Sequence, residues 1–170
     1  LYLPYALIYF WSLPVEKYYA PLALIAGFLY IGLCYQLWYI PAFLLGLWIV
    51  HYLYKKVGPK WAVVVSLVLY LLGSIETYYT YFAHTWPTHL YDVYSRIFFS
   101  TRNGLFYAPI FILFGYLLYD YWNSNFFKKD VGKKFLLASI FLALDGWLVF
   151  VNQGIDKNFF LALLPFSLFL

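Results

Sequence analysis

The chain has 170 residues, of which 65% are hydrophobic, 26% aromatic and 11% charged, and its formal net charge is +4. A water-soluble domain covers its surface with about 25% charged residues, so this composition excludes an ordinary soluble globule. It points to an all-α, polytopic membrane helix bundle, read as one membrane domain over residues 1–170. The basic residues form no patch apart from the loops between apolar runs, which leaves no argument for nucleic acid. The aromatic load suits lipid-facing surfaces and interfacial anchors and implies no bound cofactor.

In chain order, Leu1 to Leu13 is apolar but shorter than the about twenty residues a spanning helix needs. Phe159 to Leu170 has the same character, so both read as partial spans and the domain is expected to be incomplete at both ends. No basic n-region or small-residue cleavage site marks a signal peptide. Pro14 to Leu33, with Pro14, Pro21 and a weak polar face at Glu16 and Lys17, suits an outer-face hairpin or interfacial helix. Tyr35 to Tyr54 reads as a spanning helix, closed by Lys55-Lys56-Val57-Gly58-Pro59-Lys60 with its tight Gly-Pro turn, and Trp61 to Phe82 as the next. A polar aromatic loop from Ala83 to Thr101 is followed by a helix from about Asn103 to Tyr121. A loop holding Lys128, Lys129, Lys133 and Lys134, a helix from about Phe135 to Val151 and a loop from Asn152 to Lys157 complete the order. With the two partial spans this gives about six transmembrane segments, all helical because a lone span in lipid can satisfy its backbone no other way.

The loops at 55–60 and 128–134 hold seven of the eleven Lys and Arg and lie two spans apart, so they share a face. The positive-inside bias makes that face cytoplasmic, in a multi-pass membrane protein whose lysines meet anionic headgroups. Lys17, Arg96, Arg102 and Lys157 then fall on or near the outer face.

Few residues carry chemistry. The single Cys34 reads as a small buried hydrophobe. His51 belongs near the inner face, and His84 and His89 belong to the outer loop with Pro87 between them, so no metal set is assigned. Glu76, Asp145, Arg102 and Asn103 all fall in the midplane or outer half, where charge is costly and usually has a partner. One reading pairs Arg102 with Glu76 or Asp145, stapling three helices, or lets it snorkel to headgroups. The other gathers these groups into an outward-opening pocket for an anion or a hydroxyl-bearing acceptor. Asp120, at the inner end of its helix, reads as a solvated boundary residue. No Ser-His-Asp arrangement, phosphate-cradling glycine loop or dinucleotide fingerprint is present.

Two segments resemble characteristic blocks of the membrane-bound acyltransferase family 3: Gln36-Leu37-Trp38-Tyr39-Ile40-Pro41-Ala42 and Thr101-Arg102-Asn103-Gly104-Leu105-Phe106. The similarity is to the branch holding the membrane domain of vancomycin-resistance serine racemases, together with bacterial surface-polymer O-acyltransferases. It extends over nearly the whole chain, including the apolar start to Pro14 and the stretch from Asp145 onward, although only the two blocks are distinctive. The resemblance implies an enzyme that takes an acyl group from a cytoplasmic donor, commonly acyl-coenzyme A. The group would pass to a hydroxyl on the outer side, on a surface glycan or lipid-linked sugar. It carries over Arg102 and Asn103 as pocket ligands, and Glu76, Asp145, Gln36 and Trp38 are further candidates for substrate binding. The family's base is usually a histidine of a first helix that this stretch lacks, so no catalytic residue is assigned within the chain. Gln36 stands where many relatives place histidine, which keeps hydrogen bonding and removes titration near neutral pH. An amino-acid-transporting membrane domain, with serine as cargo, and a structural membrane subunit are the alternatives.

Overall fold

A computed structural model describes residue 21 and residues 38–98, 100–152 and 157–170. The proposed interfacial hairpin, Cys34 and Gln36 lie outside the described residues. Those described form only helices and turns: α1 (Tyr39–Lys56), α2 (Pro59–Ser74), a 3-10 turn (Tyr79–Phe82), α3 (Trp86–Phe98), α4 (Ala108–Tyr121), α5 (Asn125–Lys128), α6 (Val131–Val151) and α7 (Leu163–Phe169).

The α1–α2 hairpin follows from its two punctuating residues. Val57 and Gly58 both donate their N–H groups to the Leu53 carbonyl, ending α1, and Gly58 then takes φ 88°, which an L side chain rarely adopts. Pro59 opens α2, where the missing N–H costs nothing and the fixed φ suits a helix. Helix α4 returns against α1 along a seam of small residues. A Cβ on Gly46 would stand 2.8 Å from the Ala108 Cβ, and one on Gly104 would stand 2.7 Å from the Ala42 carbonyl oxygen. Small residues at four-residue spacing on both strands of the seam let the backbones approach closely, as in membrane helix pairs. Behind this seam Tyr70, Tyr107, Phe111 and Phe159 form one aromatic cluster, with Tyr107 and Phe159 centroids 5.0 Å apart and Tyr70 and Phe159 5.3 Å. Val50, Ala62, Ile110, Leu113 and Leu164 complete the buried core.

Outside that core the usual polarity is reversed. Glu76, Thr77, Asn103, Asp145 and Asn152 are buried, whereas Trp48, Trp61, Leu137, Trp147 and Phe150 are exposed. The 21-residue α6 is the one described helix long and apolar enough to cross a membrane, about 30 Å at helical rise, while α2 and α4 are apolar but shorter.

Several expected boundaries are corrected. The helix expected to run from Trp61 to Phe82 ends at Ser74, because tighter turn bonds such as Thr77 N–H to Ser74 carbonyl (3.0 Å) replace the helical ladder and turn Glu76 and Thr77 inward. The expected loop from Ala83 to Thr101 contains α3, which Pro87 opens in its first turn. The helix expected from Asn103 begins only at Ala108, and α6 begins at Val131, ahead of Phe135, after Asp130 in a left-handed conformation. Within Phe159 to Leu170 the described helix covers only Leu163–Phe169, and Phe159 and Ala162, wholly buried, lie in the irregular stretch before it.

Candidate functional site

The segment from Ser100 to Tyr107 is folded by the side chain of Asn103. Its Oδ1 accepts from the N–H groups of Leu105 (2.9 Å) and Phe106 (3.2 Å), and its Nδ2 donates to the Tyr94 hydroxyl (2.8 Å) and the Ser100 carbonyl (3.1 Å). A carboxamide that occupies local N–H groups in this way holds a turn against a helix, which is why α4 starts late. Gly104 then lets the turn lie on α1, since its missing Cβ would collide with Ala42 and Leu45.

Glu76 receives the same segment from the other side. Its Oε2 accepts from the Thr101 N–H (2.7 Å) and the Ser100 hydroxyl (3.3 Å). The Thr101 hydroxyl reaches both Glu76 Oε2 (2.5 Å) and the Gly73 carbonyl (2.8 Å), and its one proton serves them in turn. Asp145 of α6 accepts from the Tyr78 hydroxyl on Oδ1 (2.5 Å) and from the Ala162 N–H on Oδ2 (2.8 Å), while Tyr78 itself accepts from the Leu161 N–H (3.2 Å). Thr77 adds a third knot: its carbonyl accepts from Asn152 Nδ2 (2.6 Å) and its hydroxyl from the Phe159 N–H (3.0 Å).

Three of the sequence-predicted ligands, Glu76, Asn103 and Asp145, therefore spend hydrogen-bonding capacity on neighbouring backbone and hydroxyl groups, tying α2, α6 and the approach to α7 together. The expected ion pair of Arg102 with Glu76 or Asp145 is not formed. Neutral donors hold both carboxyl groups, and among the described residues the recorded ion pair is Lys133 with Asp130 at the surface, 3.5 Å. The Arg102 guanidinium instead lies 5.0 Å over the Trp38 ring. Trp38 meets Tyr107 edge to face at 5.7 Å. Both rings line one end of an apolar groove of about 650 Å³ between α1, α4 and α7, whose walls include Phe43, Phe111, Ile112 and Leu163. Trp38 and Arg102 are thus brought together, at a cation–aromatic contact at the end of an apolar groove.

Other expectations shift. Asp120 is exposed near the end of α4, as a boundary residue is, and it also accepts from the Tyr54 hydroxyl, which links the C-terminal ends of α4 and α1. His51, His84 and His89 are all exposed, and the described residues contain no cluster of His, Cys, Asp and Glu suited to a metal. Outside the apolar helices, the Tyr79 hydroxyl donates to Asp92 (3.1 Å), and that bond, aided by desolvation, raises its pKa above the ordinary tyrosine value. Sequence reasoning missed Thr77, Tyr78 and Asn152. The position of Thr77 and Tyr78 just past Glu76 is the one signal available, and among 20 tyrosines it does not single out Tyr78.

No family profile and no solved structure matches the chain. Two curated relatives, both amino-acid racemases of Enterococcus faecalis, are similar to it, at 33% identity over 102 residues and 34% over 101 residues. Each match covers 58% of this chain and only 14% of the relative, so the chain spans a small part of the curated relatives it matches.

Proposed function

We propose that the chain forms part of a multi-pass membrane domain of the acyltransferase 3 kind in the bacterial plasma membrane. Its loops at 55–60 and 128–134 face the cytoplasm. The domain passes an acyl group from a cytoplasmic donor such as acyl-coenzyme A to a hydroxyl of a surface glycan or lipid-linked sugar on the outer side. The observation that carries this reading is the Arg102 guanidinium over Trp38 at the end of the apolar groove. An apolar groove receives an acyl chain, and a guanidinium beside it supplies the permanent cation that holds an anionic group or a developing oxyanion. Arg102, with Trp38 and Tyr107, is the binding end, while Glu76, Asn103 and Asp145 fix the backbone that presents it. The general base comes from another part of the protein.

The racemase relatives favour a second reading, in which the same domain binds or moves an amino acid such as serine and Arg102 holds its carboxylate. The two are separated in the full-length protein by Arg102→Ala and by Ile112→Trp, which fills the groove. Acyl transfer predicts that both variants lower surface O-acylation at unchanged protein level, the arginine change by about 10²-fold if it holds the oxyanion. Unchanged O-acylation in both overturns this reading. Loss of labelled-serine binding in Arg102→Ala, with Ile112→Trp unaffected, supports the second.

A further inference from the structure

Helix α3 carries its polarity the wrong way round for a loop helix in water. Its inward face bears Thr88, 2% exposed, with Asp92 and Ser95, whereas Trp86, Leu90 and Val93 point outward at 69%, 55% and 61% exposure. These three recur at helical spacing and form one apolar stripe, bordered by the exposed His89 and Arg96. The polar side is consumed internally: Tyr79 donates to Asp92, the Thr88 hydroxyl donates to the Thr85 carbonyl and the Ser95 hydroxyl to the Asp92 carbonyl. The Tyr79 and Tyr91 rings, centroids 5.8 Å apart, pin the helix to the preceding turn.

The stripe meets the long apolar helix α6 across a second cavity. Trp86 and Pro87 close one end of that cavity, about 490 Å³, whose walls come from α2 (Leu71, Leu72) and α6 (Leu148). Those wall residues are themselves exposed, so Trp86 joins the stripe to the cavity and Leu148 joins the cavity to the lipid-length α6.

We infer that α3 lies in the outer leaflet parallel to the membrane plane, with its Trp86-Leu90-Val93 stripe among lipid acyl chains and an acyl chain occupying the cavity beneath Trp86. Arg96 and His89 stand at the polar border of the stripe, where a phospholipid headgroup supplies the phosphate that a guanidinium binds. A helix of this build sinks its apolar face about 5–10 Å into the headgroup and acyl boundary. The occupant is lipid, and neither water nor another polypeptide.

The test is made on the full-length protein in phosphatidylcholine vesicles with bromines near the carbonyl end or near the methyl end of the chains. The Trp86 signal is taken as the difference between the parent and Trp86→Phe. The expected result is quenching of that signal about twofold or more stronger by the shallow bromines than by the deep ones, with little response to aqueous acrylamide. A signal quenched by acrylamide and not by bromines places α3 in water, and one quenched by neither places it under another polypeptide segment. Either result overturns the inference. A nitroxide on Leu90→Cys gives an independent reading that does not depend on Trp86: lipid burial requires relaxation by oxygen to exceed relaxation by a water-soluble nickel chelate, and the reverse order is a refutation.

Discussion

Replacing Asp145 by leucine in the full-length protein strands two donors at once. The carboxyl group is 5% exposed, takes the Tyr78 hydroxyl at 2.5 Å and takes the Ala162 N–H at 2.8 Å. A buried donor left without an acceptor costs about 1–3 kcal/mol, so Asp145→Leu is expected to cost about 2–6 kcal/mol. Hydrogen bonds between membrane helices average nearer about 0.6 kcal/mol, which places the expected loss toward the lower end of that range. Asp145→Asn keeps one acceptor oxygen and loses one, and its cost should be about half. The assay is reversible chemical unfolding in detergent followed by tryptophan fluorescence, run on both variants and repeated in a Tyr78→Phe background. With the Tyr78 donor already gone, Asp145→Leu strands one group fewer, and the cycle should return a coupling of about 0.5–3 kcal/mol. Two results would refute the reasoning: an Asp145→Leu protein as stable as the parent, or a cost unchanged by Tyr78→Phe. Because Asp145 is assigned to positioning and Arg102 to binding, folded Asp145→Asn should retain O-acylation that Arg102→Ala loses.

Gly46→Ala puts a methyl 2.8 Å from the Ala108 Cβ and 2.9 Å from Ile112 Cδ1, and this overpacking should cost about 1–3 kcal/mol. Ala108→Gly should recover part of the loss in the same melt, and no recovery would place the strain elsewhere. Thr101→Val removes the hydroxyl that serves Glu76 and Gly73 while leaving the N–H bond, for an expected loss of about 1–3 kcal/mol, whereas Thr101→Ser should be nearly neutral. Trp38→Leu removes the ring under Arg102, worth about 0.5–2 kcal/mol, and should weaken retention of an anionic ligand more than it weakens folding. The raised pKa of Tyr79 means that its bond to Asp92 supports the fold fully below the ordinary tyrosine pKa and is lost as pH climbs through the higher folded value. Asp92→Asn should return the Tyr79 phenolate absorbance to a normal alkaline midpoint, and a midpoint unmoved by that change would disconnect the pair.

Much of the helical order was legible because its signals are local. The Gly58-Pro59 break and the long apolar run ending at Val151 lie where turn chemistry and hydropathy put them. The late start of α4 was illegible because it depends on the side chain of Asn103 winning the N–H groups of Leu105 and Phe106, a choice that periodicity does not encode. Helix α3 escaped because its outward stripe is apolar and its inward face polar, so a reader expecting a water-facing loop sees only mixed composition. Of the candidate site, Trp38 and Arg102 come together from segments more than sixty residues apart, which the two motif blocks marked without saying how they touch. Of the two readings offered for Glu76 and Asp145, the ion pair with Arg102 is the one not formed. Charge arithmetic pairs a carboxylate with the nearest cation, whereas here hydroxyl and backbone donors from Thr101, Tyr78 and Ala162 reach them first.

The knots at the end of α2 also fix a timetable for biosynthesis. Tyr78 waits 67 residues for Asp145, Thr77 waits 82 for the Phe159 N–H and Tyr70 waits 90 for the Phe160 carbonyl. While the ribosome works through α3, α4 and the part of α6 before Asp145, these groups have none of those partners, and contacts of such long range form late. The nascent chain therefore carries an open polar seam at the end of α2 until nearly all of its described length has been made. A membrane protease or chaperone that recognises exposed polar groups among helices would find its signal there, and the arrival of residues 159–162 would erase it.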